Sequence, residues 1–252
     1  MERHLRPTGD LGRSAVEDFV VREAWARIEA VLRATAPELL AALPCGATPD
    51  TIDAAEARLG VTLPPDVRES YAVHDGSGET DILPCEVYGL IALPLYSLAD
   101  MVREWQMWQE WGRDGVRPCH DSPKGPVKAD RYNPHWLPVI WDGGGTNLCI
   151  DLDPAPGGLS GQVICLDHLD PKCVVAEGWR DFLERYATDL ESGRLLFENG
   201  ELVEAETQKS AWFIDAIKTY REKHGVDLVE AKRAVEEQLQ SKYRQAEPFY
   251  GL

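Results

Sequence analysis

One stretch, residues 133–153, constrains the fold of this chain more than any other. A short apolar run at 137–141 stops at Asp142-Gly143-Gly144-Gly145, and a second apolar run at 148–152 leads into Asp153. Three glycines in succession cannot continue a strand, and glycine reaches positive φ at little steric cost, so the stretch predicts a strand, a glycine turn and a second strand. Asp142, Asp151 and Asp153 flank that hairpin. If they converge, clustered carboxylates suit a hard cation or a catalytic site. If they do not, Asp-Gly is ordinary turn chemistry.

Size and charge narrow the possibilities. A chain of 252 residues can hold one large domain, or one domain with a small appendage, and bury a sizeable core. With 44% apolar residues and eight tryptophans it reads as folded rather than disordered. Its 43 acidic and 26 basic residues give a net charge of −17, which repels nucleic acid and anionic membrane and attracts basic partners. Basic residues interleaved with aromatics, as nucleic-acid binding needs, are missing from the sequence. The six cysteines include no Cys-x-x-Cys pair, so no structural zinc site is expected. Cys149 and Cys165 sit in strand-like runs, where a thiol behaves as a small hydrophobe. Residues 1–12 carry charge throughout and do not form a signal peptide, and no apolar run approaches the roughly 20 residues of a membrane span. The expectation is a soluble, reduced, cytoplasmic protein without metal or cofactor.

Periodicity supplies the elements. Val16, Val20, Ala24, Ile28 and Val31, widened by Phe19, Trp25 and Leu32, predict an amphipathic helix over 14–36 that ends before Pro37. Thr48-Pro49-Asp50 is a helix start and Gly60 its stop, while Pro64-Pro65-Asp66 opens a helix closed by Asp75-Gly76. Strands are expected near 81–83 and 88–93, a helix over 98–111 bearing Trp105, Trp108 and Trp111, and a long loop over 113–134. Beyond the glycine hairpin come strands at 162–166 and 172–176, then a helix carrying Trp179, Phe182, Leu183 and Tyr186. Asn199-Gly200 between 195–197 and 202–203 is the strongest hairpin signal in the chain. The polar stretch 204–209 reads as a linker. After it, 210–252 form a helical hairpin turning at Gly225, with Asp227 and Glu230 as a capping-box-like start.

Several of these residues resemble a known family. The run 59–66 (Leu-Gly-Val-Thr-Leu-Pro-Pro-Asp), followed by Tyr71 and His74-Asp75-Gly76, resembles the opening of the SUKH superfamily. The blocks at 98–105, Trp136-Leu137-Pro138, Asp142 to Gly145, Ile150-Asp151-Leu152, Gly161-Gln162-Val163 and 179–191 are similar to its fungal cell-wall-assembly-regulator branch (SMI/KNR-like). The resemblance implies an α+β fold with a mainly antiparallel sheet flanked by helices, and a non-catalytic protein-binding role, toxin-neutralising in bacteria and regulatory in fungal cell-wall synthesis. Separately, residues 220–236 resemble the helix-turn-helix of the ribosomal stalk protein's C-terminal domain, although Asp227 stands where that motif has a second glycine. This implies an interaction hairpin. The expected organisation is a lead-in helix over 1–46 packing on the main domain, a SUKH-like domain over 47–203, the linker, and the C-terminal α-helical hairpin.

The functional expectation is therefore a non-enzymatic protein-binding module, either immunity-type or regulatory in cell-wall assembly. It takes a protein partner (a basic toxin or a cell-envelope regulatory protein) and offers a second partner the C-terminal hairpin. Asp142, Asp151, Asp153, Trp108 and Trp111 are the expected partner-binding residues, tryptophan being enriched at interface hot spots. The alternative is a small-ligand or metal-binding sensor or enzyme built on the Asp142 and Asp151/Asp153 turn. His74 and His168 beside Cys149 invite a nucleophile reading, but no nucleophile elbow accompanies them and no triad follows.

Overall fold

The computed structural model describes residues 14–86, 90–113, 117–118, 123–168 and 170–235. Helix α1 (Ser14–Thr35) is followed by a short α2 (Pro37–Ala42). In α3 (Pro49–Leu59) the Thr48 side chain accepts the Thr51 N–H, proline fills the first helical position, and Gly60 closes the helix at φ 72°. Helix α4 (Pro65–Val73) again begins on proline. Strands β1 (Leu83–Cys85) and β2 (Ile91–Leu93) pair antiparallel. Helix α5 (Leu98–Trp111) has the predicted bounds and is capped by Ser97, which accepts the Asp100 N–H.

The expected loop over 113–134 holds some structure of its own. Strands β3 (Arg117–Pro118) and β4 (Asp130–Arg131) pair within it, too short for a periodic signal. The main sheet follows, with β5 (Trp136–Trp141), β6 (Thr146–Asp151), β7 (Gln162–Asp167) and β8 (Asp170–Ala176) in sequential antiparallel order. Helix α6 (Trp179–Glu191) then crosses back. Strands β9 (Leu195–Glu198) and β10 (Glu201–Glu204) form a hairpin whose Asn199 and Gly200 have φ of 54° and 84°, the pair of positive angles a type I′ turn requires.

Nearly every residue of β5, β6 and β7 is buried, so these strands read as continuous apolar runs although antiparallel sheets usually leave one face wet. On one face Leu137, Val139, Leu148, Ile150, Val163 and Cys165 share a core with Trp25 and Ile28 of α1, Tyr71 of α4, and Trp179, Leu183 and Tyr186 of α6. On the other, Trp136, Cys149, Ile164 and Leu166 pack with Trp108 and Val127. Burying each large apolar side chain contributes roughly 1.5–3 kcal/mol. Three polar side chains carried into the first core find partners: the Trp25 indole N–H donates to Ser70 Oγ at 2.9 Å, and the Tyr71 and Tyr186 hydroxyls donate to the carbonyls of Tyr96 and Ile82, whereas the buried Trp179 indole N–H has none among the described residues. Arg27 clasps Glu191 through two nitrogens and so ties α1 to the end of α6.

The stretch 204–209, expected as a linker, is mostly helical. Glu204 ends β10 and helix α7 (Glu206–His224) begins two residues later, because a polar stretch without glycine or proline is free to continue as helix. Gly225 turns the chain at φ 66°, Asp227 Oδ1 accepts the Glu230 N–H, and residues 228–235 are helical. Ile217, Ala231 and Val235 form a small core of this hairpin, separate from the two sheet cores. Ile214, Leu228 and Val229 are exposed.

Gly46 provides a test of the packing between the first helices. A Cβ there would lie 1.9 Å from the carbonyl oxygen of Ala72, against backbone that cannot move aside cheaply. Gly46→Ala is expected to destabilise the chain by about 3 kcal/mol. Gly60→Ala, strained at positive φ but in open space, is expected to cost about 1 kcal/mol. Urea unfolding of the two variants ranks them.

Candidate functional site

The β5–β6 ladder decides how the three aspartates relate. Trp136 pairs with Asp151 at one end and Trp141 with Asn147 at the other. A strand rises about 3.3 Å per residue, so the Asp142 turn stands roughly 15 Å from Asp151. The three carboxylates therefore form two sites rather than one. Among the described residues no group of three or more His, Cys, Asp or Glu side chains is placed to hold a metal ion. The geometry does not support a ligand site shared between the two ends.

At the turn, Asp142 Oδ1 accepts the N–H groups of Gly144 at 2.7 Å and Thr146 at 2.8 Å, and the Asp142 N–H donates to the Thr146 carbonyl. Gly143 and Gly145 have φ of 73° and 115°. A Cβ on Gly145 would come within 3.0 Å of the His168 ring, so close approach and backbone angle both call for glycine there. One oxygen of Asp142 thus belongs to the turn, while its side chain stays partly exposed.

At the far end, Asp151 is fully buried. Its Oδ1 accepts the Trp136 indole N–H at 3.0 Å and the Asp153 N–H at 2.9 Å, and its Oδ2 accepts the Gln162 amide at 2.8 Å. Burial pushes this carboxyl above the ordinary carboxylate range, although the three hydrogen bonds pull the other way. Asp153 has the opposite balance. Partial burial raises it, but the hydrogen bonds from Lys128 and Asn133 outweigh burial and hold it below the usual range. Asn133 also donates to Asp130 and accepts the His135 N–H, so the network fastens residues 128–135 to the end of β6.

Two expected contact residues are corrected by this geometry. Asp151 is inside the network and Trp108 is 1% exposed, with its indole N–H on Glu104 at 2.7 Å, so neither presents a surface in the folded state. Their burial follows from the second sheet face, which needs an apolar cover and a carboxylate to receive the Trp136 N–H. Trp111 is 51% exposed at the Tyr132 end of α5. Trp141, which sequence reasoning passed over, is 38% exposed beside Tyr96 at the opposite end. Its signal was its place as the last residue before the turn, outside the cover that Trp108 provides.

The nucleophile reading is also resolved. Cys149 is buried, and burial pushes its thiol well above the ordinary range. It pairs with Ile164 in mid-strand, whereas His168 lies beyond β7 and faces Asp167. His74 places one ring nitrogen against the Pro44 carbonyl at 2.7 Å and the other against Glu29 at 3.1 Å, a structural tie between α1 and α4.

Apart from the sheet, a groove of about 540 Å³ runs between α1, α3 and α4, with Ile52, Pro49, Pro65 and Ala72 along it and Arg22 and Arg68 at its sides. A second hollow of about 400 Å³ shares Pro65 and Glu69 with it, and carries Asp66, Glu177, Asp181 and Glu184. No single sequence motif marks this groove, because α1, α3, α4 and α6 meet there only in the folded chain.

Fold and site together define an α+β domain with a four-stranded antiparallel sheet and, among the described residues, no assembled catalytic group and two exposed tryptophans. The chain belongs to the SMI1 / KNR4 family (SUKH-1), whose family model matches residues 46–185. It is 30% identical over 229 residues to the glucan synthesis regulatory protein of Neurospora crassa, covering 75% of this chain and 42% of that protein. It is 33% identical over 192 residues to the cell wall biosynthesis/cell cycle regulator smi1 of Schizosaccharomyces pombe, covering 72% and 38%. It is 27% identical over 203 residues to the cell wall assembly regulator SMI1 of Saccharomyces cerevisiae, covering 68% and 40%. The chain thus spans about two-fifths of the length of these curated relatives. Helix α1 lies outside the family match, yet Trp25 and Ile28 share the main core.

The Asp151 network has a testable energetic signature. Asp151→Ala leaves the Trp136 indole, the Asp153 N–H and the Gln162 amide without their acceptor, and is expected to cost about 3 kcal/mol. The pH dependence has opposite signs at the two carboxylates. Asp153, depressed in the fold, contributes stability above the ordinary carboxylate range that is lost as pH falls through its lowered pKa. Asp151, raised in the fold, gains stability as pH falls through its raised pKa. Asp151→Asn should therefore show a steeper acid loss than the parent chain, and Asp153→Asn a shallower one, in denaturant titrations across the carboxylate range.

Proposed function

We propose that this chain is a non-enzymatic regulatory protein of cell-wall assembly that acts by binding a protein partner in the cytoplasm. The observation that carries this reading is membership of the SMI1 / KNR4 family, joined to relatives named as regulators of glucan synthesis and cell-wall assembly. Of the two roles the resemblance implied, these relatives support the cell-wall one. Among the described residues no helix is long and apolar enough to cross a membrane.

The partner's chemistry follows from the charge. A net charge of −17 draws in a basic surface and speeds its encounter, while exposed aromatics supply the anchoring. Asp142, Asp153, Trp111 and Trp141 are reachable groups on and around the sheet, and Asp66, Glu177, Asp181 and Glu184 edge the second hollow, between α4 and α6. The C-terminal hairpin, with Leu228 and Val229 outside its own core, offers a second contact surface.

Affinity capture on the full chain, followed by quantitative binding of the recovered partner, tests this reading. Trp111→Ala is expected to weaken binding by roughly 1–2 kcal/mol at an unchanged melting temperature. Trp108→Ala should instead lower stability by about 3–5 kcal/mol. Binding should also weaken as salt rises. A partner held equally well at low and high ionic strength would remove the electrostatic part of the proposal.

A further inference from the structure

Strands β7 and β8 place Cys165 directly opposite Cys173. Opposed residues of an antiparallel ladder have Cα atoms about 4.5–5.5 Å apart, inside the window of about 4.4–6.8 Å that a disulfide spans. Their side chains leave the same face of the sheet, where Cys165, Cys173 and Cys85 all adjoin the main core. The Cys165 thiol donates to the Leu166 carbonyl at 3.6 Å, and Cys85 lies close enough to perturb it. Cys149 belongs to the opposite face and packs with Trp108 and Trp136. Cys85 of β1 thus lies near the opposed pair. Cys85 and Cys165 are buried, whereas Cys173 is only half-buried. Lys124 is bridged to Cys173, and its N–H donates to the Lys172 carbonyl.

We propose that Cys173 and Cys165 are an oxidative modification site, closed to a disulfide by a low-molecular-weight disulfide such as oxidised glutathione. The Cys173 thiolate attacks one sulfur of glutathione disulfide. That S–S bond breaks, and one glutathione leaves as a thiolate. The Cys165 thiolate then attacks Sγ of Cys173 in the mixed disulfide and expels the second glutathione. Two protein thiols are oxidised to one disulfide, one glutathione disulfide is reduced to two thiols, and the two protons released by the protein end on the departing glutathiones. Cys85 stays reduced beside the new bond.

The surroundings set the rate. The neighbouring Cys85, and then burial, hold the Cys165 thiol far above its ordinary range. Burial raises Cys173 too, partly offset by the positive charge of Lys124. Thiolate is scarce at both positions, so the reaction is slow at neutral pH and quickens by roughly tenfold per pH unit while the thiolate fraction is small.

Incubating the full chain with oxidised glutathione, alkylating the remaining thiols and mapping peptides by mass spectrometry tests the assignment. The expected product joins the Cys165 and Cys173 peptides with loss of two hydrogens, and accumulates faster as pH rises. Cys165→Ser should stop at glutathionylated Cys173, and Cys173→Ser should leave Cys165 and Cys85 alkylatable. Exposed Cys45 should carry only a mixed disulfide. Full alkylation of Cys165 and Cys173 after prolonged exposure overturns the proposal, as does a linkage between any other pair or oxidation of Cys165 in the Cys173→Ser variant. The peptide map of the unsubstituted chain decides alone if a serine variant does not fold.

Discussion

A four-stranded antiparallel sheet buried on both faces is the constraint on which the rest of this structure depends. An antiparallel sheet of this size is usually covered once, but here α1, α4, α6 and the first half of α5 cover one face, and the second half of α5 with residues 123–135 covers the other. The second cover is not a layer of helices. It is one tryptophan, Trp108, and a largely irregular segment whose polar groups must be satisfied close to an apolar surface. Asp151, Gln162, Asn133, Asp153 and Lys128 do this. They tie the segment to the sheet through the Trp136 indole at one end and the Pro126 carbonyl at the other.

That requirement explains where the acidic residues went. A chain this negative could place its aspartates anywhere on the surface, yet Asp151 is buried because the strand end must receive three N–H groups. Burying an unpaired carboxylate is costly, and its raised pKa records that cost. Asp153, one step out, is paired with Lys128 and keeps its charge. Asp142 spends one oxygen on holding a turn of three glycines in shape. Other carboxylates are more dispersed, including Asp66, Glu177, Asp181 and Glu184 around the hollow between α4 and α6.

Much of the fold was legible in the residues because it rests on local chemistry. Thr48 with Pro49 and Gly60 bounded α3, and Asn199-Gly200 set a type I′ hairpin, each through an interaction spanning a few residues. The helix over most of 204–209 was not legible because polarity without glycine or proline is compatible with helix as well as coil. The pairing of β3 with β4 was invisible because two residues carry no period. Trp108 and Trp111 look alike in sequence, three apart on one helix, and only the cover over Trp136 separates an interior anchor from an exposed one.

By itself the sequence determined the longer helices and strands and their order, the glycine turn, the acidic balance, and a family resemblance later matched over residues 46–185. All of these depend on residue types and short spacings. Only the tertiary structure decided that Asp142 and Asp151 lie at opposite ends of a hairpin. It alone showed that α1 belongs to the same core, and that Cys165 faces Cys173 with Cys85 alongside. The reason is register: which residues of distant segments meet is set by how strands pair and which faces the core claims, and no local pattern encodes that distance.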